Sequence, residues 1–403
     1  MKTRSWKRNL LVVWIAQFLG LGGFACAMPF IPLLLRENLG ITDDSVRGMY
    51  VSVYYFSGML SFTVATMFWG MMADRFGYKI MLLRASYAAA LFFPWLAFAP
   101  SVGWLFAIRF LTSFFSGTYN AAQTLLVSTA PPEKHGFVLG TLSTALWSGQ
   151  MFGYFSGGII VHFFGYTAAF VTCGVLYLIG ALLVQFFTYD NFHAGREKTA
   201  PVREKSSFSA IFSPVVLALL GLFLMMGIAR RIDEPFLAML VEVVNGREKA
   251  AFHTGIVSAV AALGGLVSGM AIGYLCDRND PRKLLIVLLF FSALWTFLQA
   301  VSCNIAMLMA MRFLSDLVAG GLMPVMQVML TRNTAPEHRG TFFGLSSSIN
   351  MAGGLICTLL SGSIAYFFNV RGILIAASAL LAIMIPYSFF TFSVISRARK
   401  SYN

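Results

Sequence analysis

Apolar runs near or above ~20 residues recur along the chain, each long enough to cross a ~30 Å hydrocarbon core. Twelve occur, at about 9–35, 46–73, 79–99, 101–129, 136–163, 166–188, 214–243, 250–276, 282–302, 304–331, 339–366 and 370–394, numbered here spans 1 to 12. Most turns between them are a few residues long, so consecutive spans must be antiparallel neighbours. The one long hydrophilic connection is 190–213, with mixed charge and Pro201. It predicts a linker between an N-terminal bundle, 1–189, and a C-terminal bundle, 214–403. The basic stretch Met1–Arg8 precedes a run too long for a signal peptide and without a small-residue cleavage site, so that run is read as the first span.

The two halves resemble each other. Gly70-Met-Met-Ala-Asp74-Arg75-Phe-Gly77-Tyr-Lys79 lies between spans 2 and 3, and a degraded copy, Gly273-Tyr-Leu-Cys-Asp277-Arg278, lies 203 residues on. Arg109-Phe-Leu-Thr-Ser113 in span 4 returns as Arg312-Phe-Leu-Ser-Asp316 in span 10 at the same offset. Thr129-Ala-Pro-Pro-Glu133 returns as Thr334-Ala-Pro-Glu337, and Met28-Pro29-Phe30 in span 1 as Glu234-Pro235-Phe236 in span 7. With six spans per half, the second half starts on the same side as the first. The repeats are then parallel, about an axis along the membrane normal, which points to a solute site between bundles near mid-membrane. The predicted fold class is all-α and polytopic, twelve transmembrane helices in two six-helix bundles.

Composition sharpens this picture. The chain is 58% hydrophobic and 11% charged, where a soluble domain carries about a quarter charged residues. The net charge of +13 is not a nucleic-acid footprint. With the N-terminus in the cytoplasm, twenty Lys and Arg fall in inner segments and five in outer loops, Arg36, Arg47, Arg247, Lys249 and Arg371. That positive-inside bias places both termini in the cytoplasm, with the inner leaflet as the partner of the charge. The five cysteines are dispersed one per span, which reads as small apolar packing. No metal cluster, nucleophile–His–acid set or phosphate loop GxxxxGK[ST] occurs. An enzyme and an ATP-driven pump are both disfavoured; no cofactor or metal is expected.

The segment 70–84 matches G-x-x-x-D-R-x-G-x-K nearly residue for residue, and Gly149-Gln-Met-Phe-Gly153-Tyr-Phe-Ser-Gly157-Gly158 in span 5 is similar to G-x-x-x-G-P-x-x-G-G with Tyr154 in place of proline. On these motifs the whole chain resembles the Major Facilitator Superfamily, in its drug:proton antiporter-like branch. The resemblance implies a secondary transporter of the bacterial inner membrane, working by alternating access as a monomer. It implies proton-coupled export of a small amphiphilic, anionic or zwitterionic compound, multidrug-type efflux. Cation-coupled uptake of an organic anion, with protons or Na⁺, stays open beside it, as does a transporter-like receptor or scaffold. It also implies a cytoplasmic gate built from Gly70, Asp74, Arg75, Gly77 and Lys79, with Asp277 and Arg278 in the second half.

Charges within spans are costly and usually face a cavity or a partner. Four cations, Arg109, Arg230, Arg231 and Arg312, and three acids, Asp233, Glu234 and Asp316, lie inside the runs. At 1.5 Å per residue, Arg230 sits ~3 Å, Glu234 ~9 Å, and Arg109 and Arg312 ~10 Å outward of mid-membrane, one shared layer. Helical spacing pairs Arg230 with Asp233 and Glu234, Arg231 with Glu234, and Arg312 with Asp316. These acids are candidates for the titrating proton carrier, and self-neutralised ion pairs are the competing reading. Arg230 and Arg231 also suit an anionic substrate group. Pro29, Pro32 and Pro235 interrupt the outer parts of spans 1 and 7, which predicts gating bends. Gly149, Gly153, Gly157 and Gly158 predict a smooth face for close helix packing. Gln17, Tyr54, Tyr119, Asn120, Gln123 and Trp147 are candidate cavity residues.

Overall fold

A computed structural model describes residues 5–190, 213–334 and 339–402; for 67, 74, 132, 269–271, 273, 274, 276, 277, 339–341 and 398–402 it describes the backbone alone. Among these residues nine helical stretches are long and apolar enough to cross a membrane. Two of them, His135–Phe187 and Phe342–Arg397, hold two spans each, turned at Gly165 and Asn369, both with positive φ. Span 4 is the remaining one, divided into the shorter helices Val102–Phe114 and Thr118–Thr129. The twelve-span, all-helical reading therefore stands.

Packing divides the chain into two compact units that differ from the sequence halves. One comprises Met1–Arg196 with Leu237–Ala262, the other Glu197–Phe236 with Leu263–Asn403. Spans 7 and 8 thus contribute to both. The predicted boundaries at 189 and 214 describe the repeat, and the linker between them falls almost wholly outside the described residues.

In the first unit, span 1 runs as Trp6–Ala27, a tight 3₁₀ turn Met28–Phe30 and the helix Ile31–Glu37. Span 2, Asp44–Phe76, is N-capped by Asp43, whose carboxylate accepts from the backbone N–H groups of Ser45 and Val46 at 2.8 and 3.1 Å. It ends at Gly77, whose φ of +94° favours glycine. Span 3 is Tyr78–Ala97. The buried residues Leu10, Val13, Leu82, Leu125, Leu142 and Val184 form a core beneath spans 1, 3, 4, 5 and 6. Along span 5, Gly149, Gly153 and Gly157 meet the backbone of Phe18, Gly22 and Cys26 in span 1; a Cβ on any of the three would overlap it. Gly158 meets Ala251 and Gly255 of span 8. The glycine row packs helices at backbone contact.

In the second unit, span 7 begins as Pro214–Ala229 and, after a break, resumes with a 3₁₀ turn Glu234–Phe236. That turn lies 206 residues after the one at Met28–Phe30, so both repeats carry the same interruption. Span 9 is Pro281–Ala300, N-capped by Asp280. Span 10 comprises Ile305–Ala319 and Leu322–Arg332. Phe223, Met226, Leu289, Met326 and Met384 anchor the core. Gly227 and Gly353 bring spans 7 and 11 together against the backbone of Asn350 and Leu224.

Candidate functional site

The break in span 7 sets the geometry of the charged layer. The helix stops at Ala229, and residues 230–233 form a turn before Pro235, which cannot donate a backbone N–H. The helical spacing that would pair Arg230 with Asp233 or Glu234, and Arg231 with Glu234, is therefore absent, and those intra-span pairs are corrected. Arg230 instead donates to Asp316 of span 10 at 3.0 Å. Arg312 of span 10 pairs with Asp233 of span 7, and its Nε lies 3.4 Å from Asp316 across one helical turn. The result is an alternating chain, Arg230–Asp316–Arg312–Asp233, with no net charge. Arg312 also donates to Gln299 of span 9, a fully buried side chain, at 3.2 Å.

The side chains of Asp233, Arg312 and Asp316 retain 12–14% exposure and that of Arg230 31%. Arg231 and Glu234, on the same turn, are exposed. Neutralised charge of this kind is tolerated in an apolar bundle only while every member keeps its partner; removal of one leaves a buried charge alone. The turn thus presents a cation and an acid beside two acids already held by arginines.

Arg109 occupies the matching place in the first repeat and is solvated differently. Its Nη1 lies 3.6 Å from the Met28 sulfur, and its guanidinium stands 5.1 Å from the Tyr54 ring centre and 6.0 Å from that of Tyr55. Among the described residues no carboxylate pairs with it; the aromatic faces supply the counter-field. Gly58 makes room for it, since a Cβ there would overlap Arg109. The Tyr55 hydroxyl donates to the Met28 carbonyl at the span 1 interruption, at 3.2 Å.

A second ion cluster was hidden in the sequence. Glu242, in the helix Leu237–Asn245, pairs through one oxygen with Arg36 and through the other with Arg47 at 2.7 Å. All three side chains are buried: 5% exposure for Glu242, 10% for Arg36 and 2% for Arg47. Arg36 and Arg47 read as outer-loop charges, and at the helix ends they hold span 7's outer segment to spans 1 and 2 within the first unit. The available signal was one acid, Glu242, in an apolar run with two arginines at similar depth.

The turn after span 2 docks on the end of span 6. Lys79 Nζ donates to the carbonyls of Gln185 and Thr188 at 2.8 and 2.7 Å, and its backbone N–H donates to Asp190 at 2.9 Å. Arg75 lies 5.6 Å from the Phe76 ring centre, and Arg278 is exposed. The side chains of Asp74 and Asp277 lie outside the described residues. Of the candidate cavity residues, Asn120 lines a void, as does Gly70. Tyr54 is fully enclosed, its hydroxyl 3.7 Å from the Met28 sulfur, and Gln17 is buried. Tyr119 packs on the first unit's core, while Gln123 and Trp147 are half-buried.

The family model for the Major Facilitator Superfamily matches residues 13–297 and 235–402. The chain is 29% identical to the "Multi-drug resistance efflux pump PmrA homolog" of Lactococcus lactis subsp. lactis (strain IL1403), over 99% of this chain and 98% of that protein. It is 31% identical to the "Multidrug resistance protein MdtG" of Salmonella paratyphi A (strain ATCC 9150 / SARB42), over 96% and 95%. Among solved structures it superposes on a bacterial homologue of the human lysosomal transporter Spinster, in an inward-facing and unoccupied conformation, with a TM-score of 0.79, 14% identity and 98% of both chains covered. The nucleoside transporter NupG gives 0.76 at 12% identity, over 96% and 98%. These two likenesses establish the fold.

Proposed function

The chain belongs to the Major Facilitator Superfamily, and on that footing we propose that it exports small amphiphilic compounds, anionic and zwitterionic ones among them, in exchange for protons. It is a multi-pass membrane transporter and not an enzyme. The names of its full-length relatives, an efflux pump and multidrug resistance proteins, support multidrug-type export. The positive-inside bias supports a cytoplasmic membrane with both termini inside, and a monomer is the simplest working unit.

The observation that carries the coupling is the alternating chain Arg230–Asp316–Arg312–Asp233, flanked by exposed Arg231 and Glu234. Protonation of Asp316 releases Arg230 and weakens the hold on Arg312. Protonation of Asp233 leaves Arg312 to Asp316 and Gln299. A cationic group of the solute arriving at Asp233 or Asp316 competes with the proton for the same carboxylate, while an anionic group is held at the exposed Arg231. Either event re-partitions charge between spans 7 and 10, the physical requirement for linking a proton to a solute. Glu234 is the exposed acid on that turn and supplies the wet end of the relay.

The test is transport of a fluorescent amphiphile into inverted membrane vesicles under an imposed proton gradient. Uptake into the vesicle, collapsing with an uncoupler, is expected of an exporter. Asp233→Asn and Asp316→Asn should each lower gradient-driven uptake at least ~10-fold, a difference of ~1.4 kcal/mol. Unchanged pH dependence in Glu234→Gln removes Glu234 from the relay. Solute movement in the opposite sense overturns export in favour of uptake, and inertness toward a broad solute panel overturns transport.

A further inference from the structure

A guanidinium that the charge chain does not use lies in the first unit, beside a cavity. Span 4 breaks at Phe115–Gly117, where Gly117 takes φ +106°, and the break frees carbonyls that would otherwise be capped within the helix. The Trp69 indole N–H donates to the Phe114 carbonyl at 2.8 Å, and Arg84 Nη2 donates to the Ser116 carbonyl at 3.2 Å. Arg84 lies against the Trp69 ring, 3.7 Å from its centre. These contacts repair the break, yet they use one of three guanidinium nitrogens.

Nε and Nη1 of Arg84 are buried and have no hydrogen-bond acceptor. Among the described residues no carboxylate pairs with this side chain. A cation held this way inside an apolar bundle is costly unless an anion completes it. Next to it opens a cavity of about 130 Å³, lined by Arg84 and Trp69 together with Phe62, Tyr78, Asn120 and Thr124. That is room for an oxyanion group, far more than one water requires. The lining combines aromatic and aliphatic surface with the guanidinium and the Asn120 and Thr124 side chains.

The second repeat shows that the fold does not require this arrangement. At the 203-residue offset, Trp69 corresponds to Ile272, Arg84 to Val287 and Asn120 to Met323. Ile272 is buried and presses on Gly321, occupying the space, and Val287 is exposed. Topology and helix packing are therefore met there without a tryptophan–arginine pair.

We propose that the cavity between spans 2, 3 and 4 binds the anionic head of an amphiphile, a carboxylate, sulfonate or phosphodiester, with Arg84 as its counter-charge and Trp69 and Phe62 against its apolar body. Arg84 lies six residues above Tyr78 in span 3, about 9 Å from the turn that the charge bias assigns to the cytoplasm. That depth suits compounds entering from the inner leaflet, and the span 7–span 10 charges supply none of the lining residues.

The experiment is photolabelling of the full-length protein in nanodiscs with 4-benzoylbenzoate, and with its uncharged amide as the control, followed by peptide mapping. The acid should label peptides of the cavity, and the amide should label them at least ~10-fold less. Arg84→Gln should lose the acid labelling by a similar factor, and Arg84→Lys should restore part of it. Because Arg84→Gln also removes the cap on Ser116, Asn120→Leu is the second variant: it fills the void, leaves Arg84 in place and should likewise abolish labelling. Suppression of labelling in phosphatidylglycerol nanodiscs relative to phosphatidylcholine assigns the site to a lipid headgroup. Suppression by free dodecyl sulfonate but not by phosphatidylglycerol assigns it to a diffusing amphiphile. Equal labelling by acid and amide, or labelling unchanged in both Arg84→Gln and Asn120→Leu, overturns the proposal. None of these outcomes bears on the direction of transport.

Discussion

Replacement of Glu242 by Gln isolates the energetics of a buried charge in this fold. Glu242 offers one carboxylate oxygen to each of two guanidiniums, and all three side chains are at most 10% exposed. The amide keeps the shape but removes the charge, so two buried arginines lose their shared partner. Breaking a buried pair of this kind costs about 3–5 kcal/mol. Arg36 keeps Glu37 at 2.7 Å and Arg47 keeps Asp44 at 2.6 Å, but those acids are 48% and 53% exposed. Pairs of that exposure are worth no more than ~1 kcal/mol each, and the two together bring the net loss to about 1–3 kcal/mol. For a unit of this size that corresponds to a fall of roughly 2–12 °C in the midpoint of thermal unfolding, followed by tryptophan fluorescence in detergent at a fixed scan rate. Arg47→Leu in the Glu242→Gln background removes one of the orphaned charges. The double variant should therefore be more stable than the sum of the singles by at least ~1 kcal/mol. A midpoint within about 1 °C of the parent for Glu242→Gln, together with additive effects to within ~0.5 kcal/mol, would refute the claim that this cluster is a desolvated lock.

Other outcomes follow from named contacts. Arg230→Gln and Asp316→Asn share one hydrogen bond, so a stability cycle between them should show coupling of about 1–3 kcal/mol, whereas Arg231→Gln with Asp316→Asn should be additive. Gly153→Val should lower stability by about 3 kcal/mol or more, because the new side chain meets the Gly22 backbone and spans 1 and 5 must separate; Gly140→Ala, which meets nothing, should be neutral in the same melt. Gly77→Ala should cost about 1 kcal/mol or more, since its φ of +94° is strained for any side chain, and limited proteolysis should cut the turn after span 2 faster.

The sequence made the spans legible because a hydrocarbon thickness imposes a minimum length on any helix that crosses it. The repeat was legible for a similar reason. Arg109 and Arg312, or Pro29 and Pro235, hold corresponding positions, and the two 3₁₀ turns fall at that spacing. Depth along the membrane normal follows from counting residues, so the charged layer could be placed. Azimuth does not follow from counting. Whether Arg230 reaches Glu234 on its own span or Asp316 on another depends on a break of four residues, and Pro235 marks that break without fixing its shape. Gln299 and Glu242 escaped notice because each is a single polar residue in an apolar run, meaningful only once its neighbour from a distant segment is known. Span 4 read as one continuous run, since Phe115-Ser116-Gly117 is apolar enough to continue it; the structure interrupts it there, and the cavity at Arg84 exists because of that interruption. Tyr54 was a reasonable cavity aromatic by position, but its ring is enclosed between Met28 and Arg109.

Proton release on ligand addition tests the coupling of charge to solute most directly. Purified protein in weakly buffered detergent is mixed with a transported amphiphile, and the pH change is followed with a soluble indicator. The account predicts proton release as ligand binds to protein whose acid carries a proton, because a cationic group of the solute takes over the carboxylate that held it. The release should be lost in the variant lacking the titrating acid, Asp233→Asn, Asp316→Asn or Glu234→Gln, while binding persists. Saturable binding with no proton released, or the same release in all three variants, would contradict it.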